Sequence, residues 1–107
     1  MDSIEEALSA IFIGLVVAEF LCKTGRVLQA IEVIKECLII LHSQVLAIDG
    51  SLANTIFSAI YMKIILAYVY IKDYTSTEKY LGKLFLYLDC NDTFEKGWLH
   101  LDRKSVV

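Results

Sequence analysis

No proline occurs anywhere in the 107 residues, and glycine occurs only five times. Proline removes a backbone donor and clashes with the preceding helical turn, and glycine weakens a helix interior by its backbone freedom. A chain with none of the first and few of the second is free to run in long helices. It is also too apolar to stay unfolded: 57% of its residues are hydrophobic and the mean hydropathy is +0.59, so burial outweighs the entropy of the open chain. The length allows one small domain or a piece of a larger one. The net charge is −3 and the pI about 5.3, which gives no electrostatic footprint for nucleic acid.

The order of helices follows from caps and breaks. Ser3 followed by Glu6, with Asp2 as the other candidate cap, opens a first helix that runs to Lys23 and stops at Thr24 and Gly25. A second helix spans 27–43. Its polar stripe is Arg26, Gln29, Glu32, Lys35 and Glu36, and its apolar stripe is Ala30, Ile31, Ile34, Leu38 and Leu41. Asp49, Gly50 and Ser51 form a turn, and a third helix, apolar on most sides, spans 52–72. After a break at Lys72, Asp73 and Tyr74, the box from Thr75 to Glu78 opens a fourth helix reaching about Asp89. Asn91 to Glu95 reads as a further cap, opening a two-turn segment from Phe94 to Leu101. The most strand-like stretch, Tyr68 to Ile71, lies inside an apolar run too long for a buried strand. The expected fold class is all-α: antiparallel helix hairpins, about four helices plus the start of a fifth.

Aligning the tight turns at Gly25 and Lys72 lays one helix–turn–helix unit over another. In the first unit Ala18, Leu21, Gly25, Ala30, Ile34 and Cys37 fall at alternating small, large and turn positions. Closely crossing helices need small side chains at the contact and large ones in the flanking holes. In this pattern the unit resembles the tetratricopeptide repeat. The second unit matches with Tyr61, Tyr68, Tyr74 and Leu81 at large positions, and departs with Ile65, Thr77 and Leu84 where small residues are the rule. The turns are also farther apart than a repeat of about 34 residues allows. The resemblance covers roughly residues 7–89. It implies a short tetratricopeptide-like α-solenoid, and therefore a protein-binding role rather than catalysis.

The last six residues, Asp102 to Val107, look like the translation of a short sequencing adapter. The domain reading is thus a helical-repeat fragment at 1–101 followed by a non-native tail at 102–107. The fragment would belong to a longer protein, with Phe94 and Trp98 in the contact to a next repeat.

Residues that could carry chemistry are scattered. Cys22, Cys37 and Cys90 make neither a CxxC pair nor a metal spacing with His42 and His100, and read as free thiols of a reducing, cytoplasmic compartment. His42 and Ser43 are adjacent, so on a helix they point apart. Glu5, Glu6, Glu32 and Glu36 suit a solvated helix face, and no glycine-rich phosphate loop is present. Tyr61, Tyr68, Tyr70, Tyr74, Tyr80 and Tyr87 read as core-edge residues whose hydroxyls reach water. No catalytic, cofactor-binding or metal-binding residue is assigned, and no cofactor is implied.

What the resemblance implies is a groove lined by the first helix of each pair. Phe12, Leu15, Glu19 and Lys23 would line it from the first pair, and Met62, Leu66 and Tyr70 from the second. Chaperone-binding members of the family hold a peptide carboxylate there with Lys and Asn. Glu19 and Leu66 stand at the matching places, so that clamp is not expected here. An apolar groove suits an amphipathic helix of a protein partner or an intramolecular one. The function read from the sequence is a non-catalytic interaction or regulatory scaffold segment. Its host would be a larger signalling protein, such as one resembling soluble adenylyl cyclase or a signal-transducing ATPase, whose long arms carry degenerate repeats. The alternative is a small two-span membrane protein, with spans at 7–22 and 56–71 and Glu19 paired with Lys63 in the interior. Each of those spans is shorter than the roughly 20 clean apolar residues a crossing needs.

Overall fold

A computed structural model describes residues 3–88. Helix α1 spans Ser3–Lys23, α2 Val27–Gln44, α3 Gly50–Tyr70 and α4 Tyr74–Leu88, with one 3-10 turn at Val45–Ala47 between α2 and α3. There is no strand among the described residues. The expected fifth helix, Cys90 and the tail at 102–107 lie outside them. Consecutive helices pack on one another, α1 on α2, α2 on α3 and α3 on α4, while α1 and α3 make a smaller contact.

Helix α2 is the shared element. Its apolar stripe is buried throughout: Ala30, Ile31, Ile34, Leu38 and Leu41, joined by Val27 and Cys37. Gln29, Glu32 and Glu36 on the opposite stripe are exposed, as the periodicity requires. Both small residues of the first unit, Ala18 and Ala30, are buried, at 1% and 0% exposure. A close contact also lies at Gly14 of α1. A Cβ on Gly14 would stand 2.5 Å from the Cys37 Sγ, and that thiol donates to the Ile11 carbonyl at 3.6 Å. The hydrogen at Gly14 thus sets how near α1 comes to α2.

The two tight turns share one geometry. Gly25 sits at φ +83°; its N–H donates to the Cys22 carbonyl at 3.1 Å, and the Arg26 N–H donates to Leu21 at 2.8 Å. Lys72 sits at φ 61°; its N–H donates to Val69 at 2.9 Å, and the Asp73 N–H donates to Tyr68 at 3.0 Å. Both are Schellman closures, in which a left-handed residue just past the helix satisfies its last carbonyls. The alignment of Gly25 with Lys72 is therefore also a structural correspondence, although one position is glycine and the other is not.

Three expectations are corrected. Helix α3 begins at Gly50, capped by Asp49, whose Oδ2 accepts from the Ser51 and Leu52 N–H groups. Helix α4 is capped by Asp73 rather than by Thr75 with Glu78. The Asp73 Oδ1 accepts from the Ser76 N–H at 3.1 Å, and its Oδ2 accepts from the Ser76 hydroxyl at 2.8 Å. Those bonds, the backbone one foremost, hold the Asp73 carboxyl below its ordinary pKa. Tyr61, Tyr68 and Tyr80 are not edge residues: they are buried and stack with Phe57 and Tyr87 in a column of rings between α3 and α4. Burial first, and then the neighbouring Tyr87, push the Tyr61 phenol up to about 12.

Two stability predictions follow from the backbone. Gly14→Ala should lower the unfolding free energy by about 1–2 kcal/mol, because crowding at Cys37 outweighs the gain in helix propensity. In a Cys37→Ala background the same substitution should instead stabilise, by up to about 1 kcal/mol. At the turns, Gly25→Ala should cost about 1 kcal/mol with no steric clash to explain it, since nothing lies within 4 Å of its Cβ. Lys72→Gly should gain up to about 1 kcal/mol by relieving the left-handed backbone. Denaturant unfolding of these variants, with Cys37→Ala as the reference for the double substitution, checks both statements.

Candidate binding groove

Where α1 meets α3 over the edge of α2, the chain forms an open pocket of about 350 Å³. Helix α1 contributes Ala18, Glu19, Cys22 and Lys23, α2 contributes Ile34, and α3 contributes Lys63, Leu66, Ala67 and Tyr70. Ala18, Ile34 and Ala67 are buried and form the floor. Small side chains on α1 and α3 leave the hollow, and Ile34 from α2 closes it underneath. Leu66 and Tyr70, one turn apart on α3, are 61% and 69% exposed at its wall. Large apolar side chains held in water at the edge of a concave, apolar hollow are what a docking helix covers.

The rim is charged. Lys63 Nζ donates to Glu19 Oε1 at 3.1 Å, across 44 positions of sequence, and Lys23 Nζ stands 4.0 Å from Glu19 Oε2 within α1. The hydrogen bond from Lys63 holds the Glu19 carboxyl below its ordinary pKa, with the charges of Lys63 and then Lys23 adding to it. Cys22 beside them is shifted the other way: partial burial raises its thiol, against a smaller opposing pull from Lys63. Two lysines against one carboxylate leave the rim with a surplus positive charge.

Of the residues expected to line a groove, Glu19, Lys23, Leu66 and Tyr70 come together here. Phe12, Leu15 and Met62 do not line the pocket, and Phe12 and Met62 are exposed. Ala18, Cys22, Ile34, Lys63 and Ala67 line the pocket and were not in the expected set. Lys63 stands three residues before Leu66 and so shares its face; the sequence reading paired it with Glu19 only in the two-span alternative, and the same pair forms here at the rim of the groove. His42 and Ser43 are both exposed, and the Ser43 hydroxyl donates to the Ile40 carbonyl at 2.6 Å. His42 rests against the Phe57 ring at 4.8 Å. Among the described residues, no group of three or more His, Cys, Asp or Glu side chains is placed to hold a metal ion.

The carboxylate at the rim gives a direct test. Its folded pKa is lowered, so its contribution to stability is present at neutral pH and is lost as pH falls through the folded value. Lys63→Met should raise the Glu19 pKa toward that of an ordinary glutamate, while Lys23→Met should raise it less. Carboxyl NMR titration of the two variants reads the order directly.

No protein family, no curated protein and no solved structure matches this chain. What the groove can do therefore rests on its own geometry.

Proposed function

We propose that this chain is a non-catalytic interaction segment, a tetratricopeptide-like pair of helical hairpins. It would take an amphipathic helix of a protein partner into the groove between α1 and α3. The observation that carries the reading is the apolar pocket of about 350 Å³, with exposed Leu66 and Tyr70 on one wall and the Glu19–Lys63 pair on its rim. In the repeat reading α1 and α3 are the first helices of successive pairs, the ones that face a bound ligand. The two Schellman turns at Gly25 and Lys72 support that equivalence. The surplus positive charge favours a helix with apolar residues at i, i+3/i+4 and i+7, flanked by Asp or Glu. A cytoplasmic setting and a larger signalling host are part of the same proposal.

One observation favours the membrane alternative: α3, Gly50–Tyr70, is long and apolar enough to cross a bilayer, although 44% of its most apolar stretch is buried within the chain. A two-span protein needs α1 as well. That helix carries Glu5, Glu6, Glu19 and Lys23 and packs on the amphipathic α2. The interaction reading uses the same Glu19–Lys63 pair without taking either charge out of water.

A library of 16-residue helical peptides, selected on the full chain and counter-selected on Leu66→Glu, tests the reading. The enriched peptides should share apolar residues at helical spacing with acidic flanks. Tyr70→Ala should weaken them by about tenfold, as expected for a central aromatic anchor. Enrichment of peptides that bind Leu66→Glu equally well contradicts the groove, and so does the absence of any enrichment.

A further inference from the structure

Helix α1 is apolar on both sides. Its inner side, with Ala7, Ile11 and Ala18 buried, packs on α2. Its outer side carries Phe12, Ile13, Val16, Val17 and Phe20, exposed at 69%, 60%, 54%, 41% and 64%. These five recur at helical spacing over two turns, so they make one continuous stripe. Together they expose on the order of 500 Å² of apolar surface, near the top of the range for a patch on a monomer. A helix with one apolar face on its neighbour and a second in water has a second face left to cover.

The charges at the ends of the stripe indicate by what. Glu5 and Glu6 stand in the first turn of α1, Lys23 in the last, and Arg26 follows in the exposed turn. A two-fold axis through Val16 would run a second α1 antiparallel to the first. In that register Phe12 faces Phe20 of the second copy, Ser9 faces its Lys23, and Glu6 faces its Arg26. The acidic end meets the basic end twice, the apolar centres coincide, and the helix dipoles oppose. Two such patches bury about 1,000 Å² between them before the rim is counted, which reaches the lower bound for a specific interface.

We propose that the outer face of α1 is a homodimer interface, two copies packing antiparallel through Phe12, Val16 and Phe20 with Glu6 opposite Arg26. It stands on a different observation from the groove: Phe12, Val16, Phe20, Glu6 and Arg26 do not line the pocket, and Lys23 is the one groove residue near the interface. An empty groove would leave it intact. An interface at this lower bound of size is expected to dissociate on dilution, so the association is read across a concentration series. The charge pairs at its ends fix orientation and register more than affinity.

Sedimentation velocity of the full chain across a concentration series tests it, together with four variants. The wild-type chain should pass from monomer to dimer, and Phe20→Glu should remain monomeric with its helical circular dichroism unchanged. Glu6→Lys and Arg26→Glu should each raise the dissociation constant by about tenfold, since each breaks two symmetry-related pairs. The double variant should restore the wild-type value, a rescue that mere loss of solubility or folding would not produce. Three results would overturn the proposal. One is a wild-type chain that stays monomeric up to about 1 mM. Another is a dimer indifferent to Phe20→Glu, or one that the double charge swap fails to restore. The third is a monomer that floats with phosphatidylcholine vesicles, which would assign the stripe to lipid instead.

Discussion

The approach of α1 to α2 at Gly14 and Cys37 is the constraint on which the rest of the structure depends. With no Cβ on Gly14, α1 settles onto the Cys37 face of α2, and the small residues Ala18 and Ala30 are buried in the same packing. Helix α2 then supports α3 as well, because its apolar stripe is wide enough to serve two neighbours. α1 and α3 are held close enough for Glu19 to reach Lys63. The pocket over Ile34 is a consequence of that geometry. It would narrow or open with any change in how deeply α1 sits on α2.

Much of this was legible in the sequence, for identifiable reasons. A missing proline, clear breaks at Gly25, Gly50 and Lys72, and the strict stripe on α2 gave four helices with bounds within a few residues of those found. The pairing of the turns at Gly25 and Lys72 was readable because both stop a long apolar run just before a polar residue. Their shared hydrogen-bond pattern was not, since Lys is a poor marker of a left-handed backbone. Asp73 was overlooked as a cap because the pattern of Thr75 with Glu78 imitates a capping box two residues later. Tyr61, Tyr68 and Tyr80 were placed at the edge because a phenol usually keeps one end in water; here the rings are buried against one another between α3 and α4.

The groove shows where sequence reasoning runs out. Faces of helices can be read from periodicity, so Leu66 and Tyr70 were found together with Glu19 and Lys23. How far two non-consecutive helices stay in contact cannot be read that way. α1 and α3 come together around Glu19 and Lys63, and Phe12, Leu15 and Met62 stay outside the pocket. The apolar surplus of the chain is divided accordingly. Part of it makes the core around α2, part makes the hollow at one end of α1, and the outer stripe of α1 is left for a separate contact. The core portion is satisfied within the chain, while the hollow and the outer stripe stay open to water.

The central claim is that α1 and α3 share one groove, although α2 lies between them in sequence. A zero-length carbodiimide coupling in detergent-free buffer tests it most directly, because it joins only a carboxylate and an amine already in contact. The account predicts an isopeptide bond between Glu19 and Lys63, found by mass spectrometry as one linked pair of peptides from α1 and α3, lost in Lys63→Met. Coupling of Glu19 to Lys23 alone would mean that α1 and α3 do not meet, and there would then be no groove.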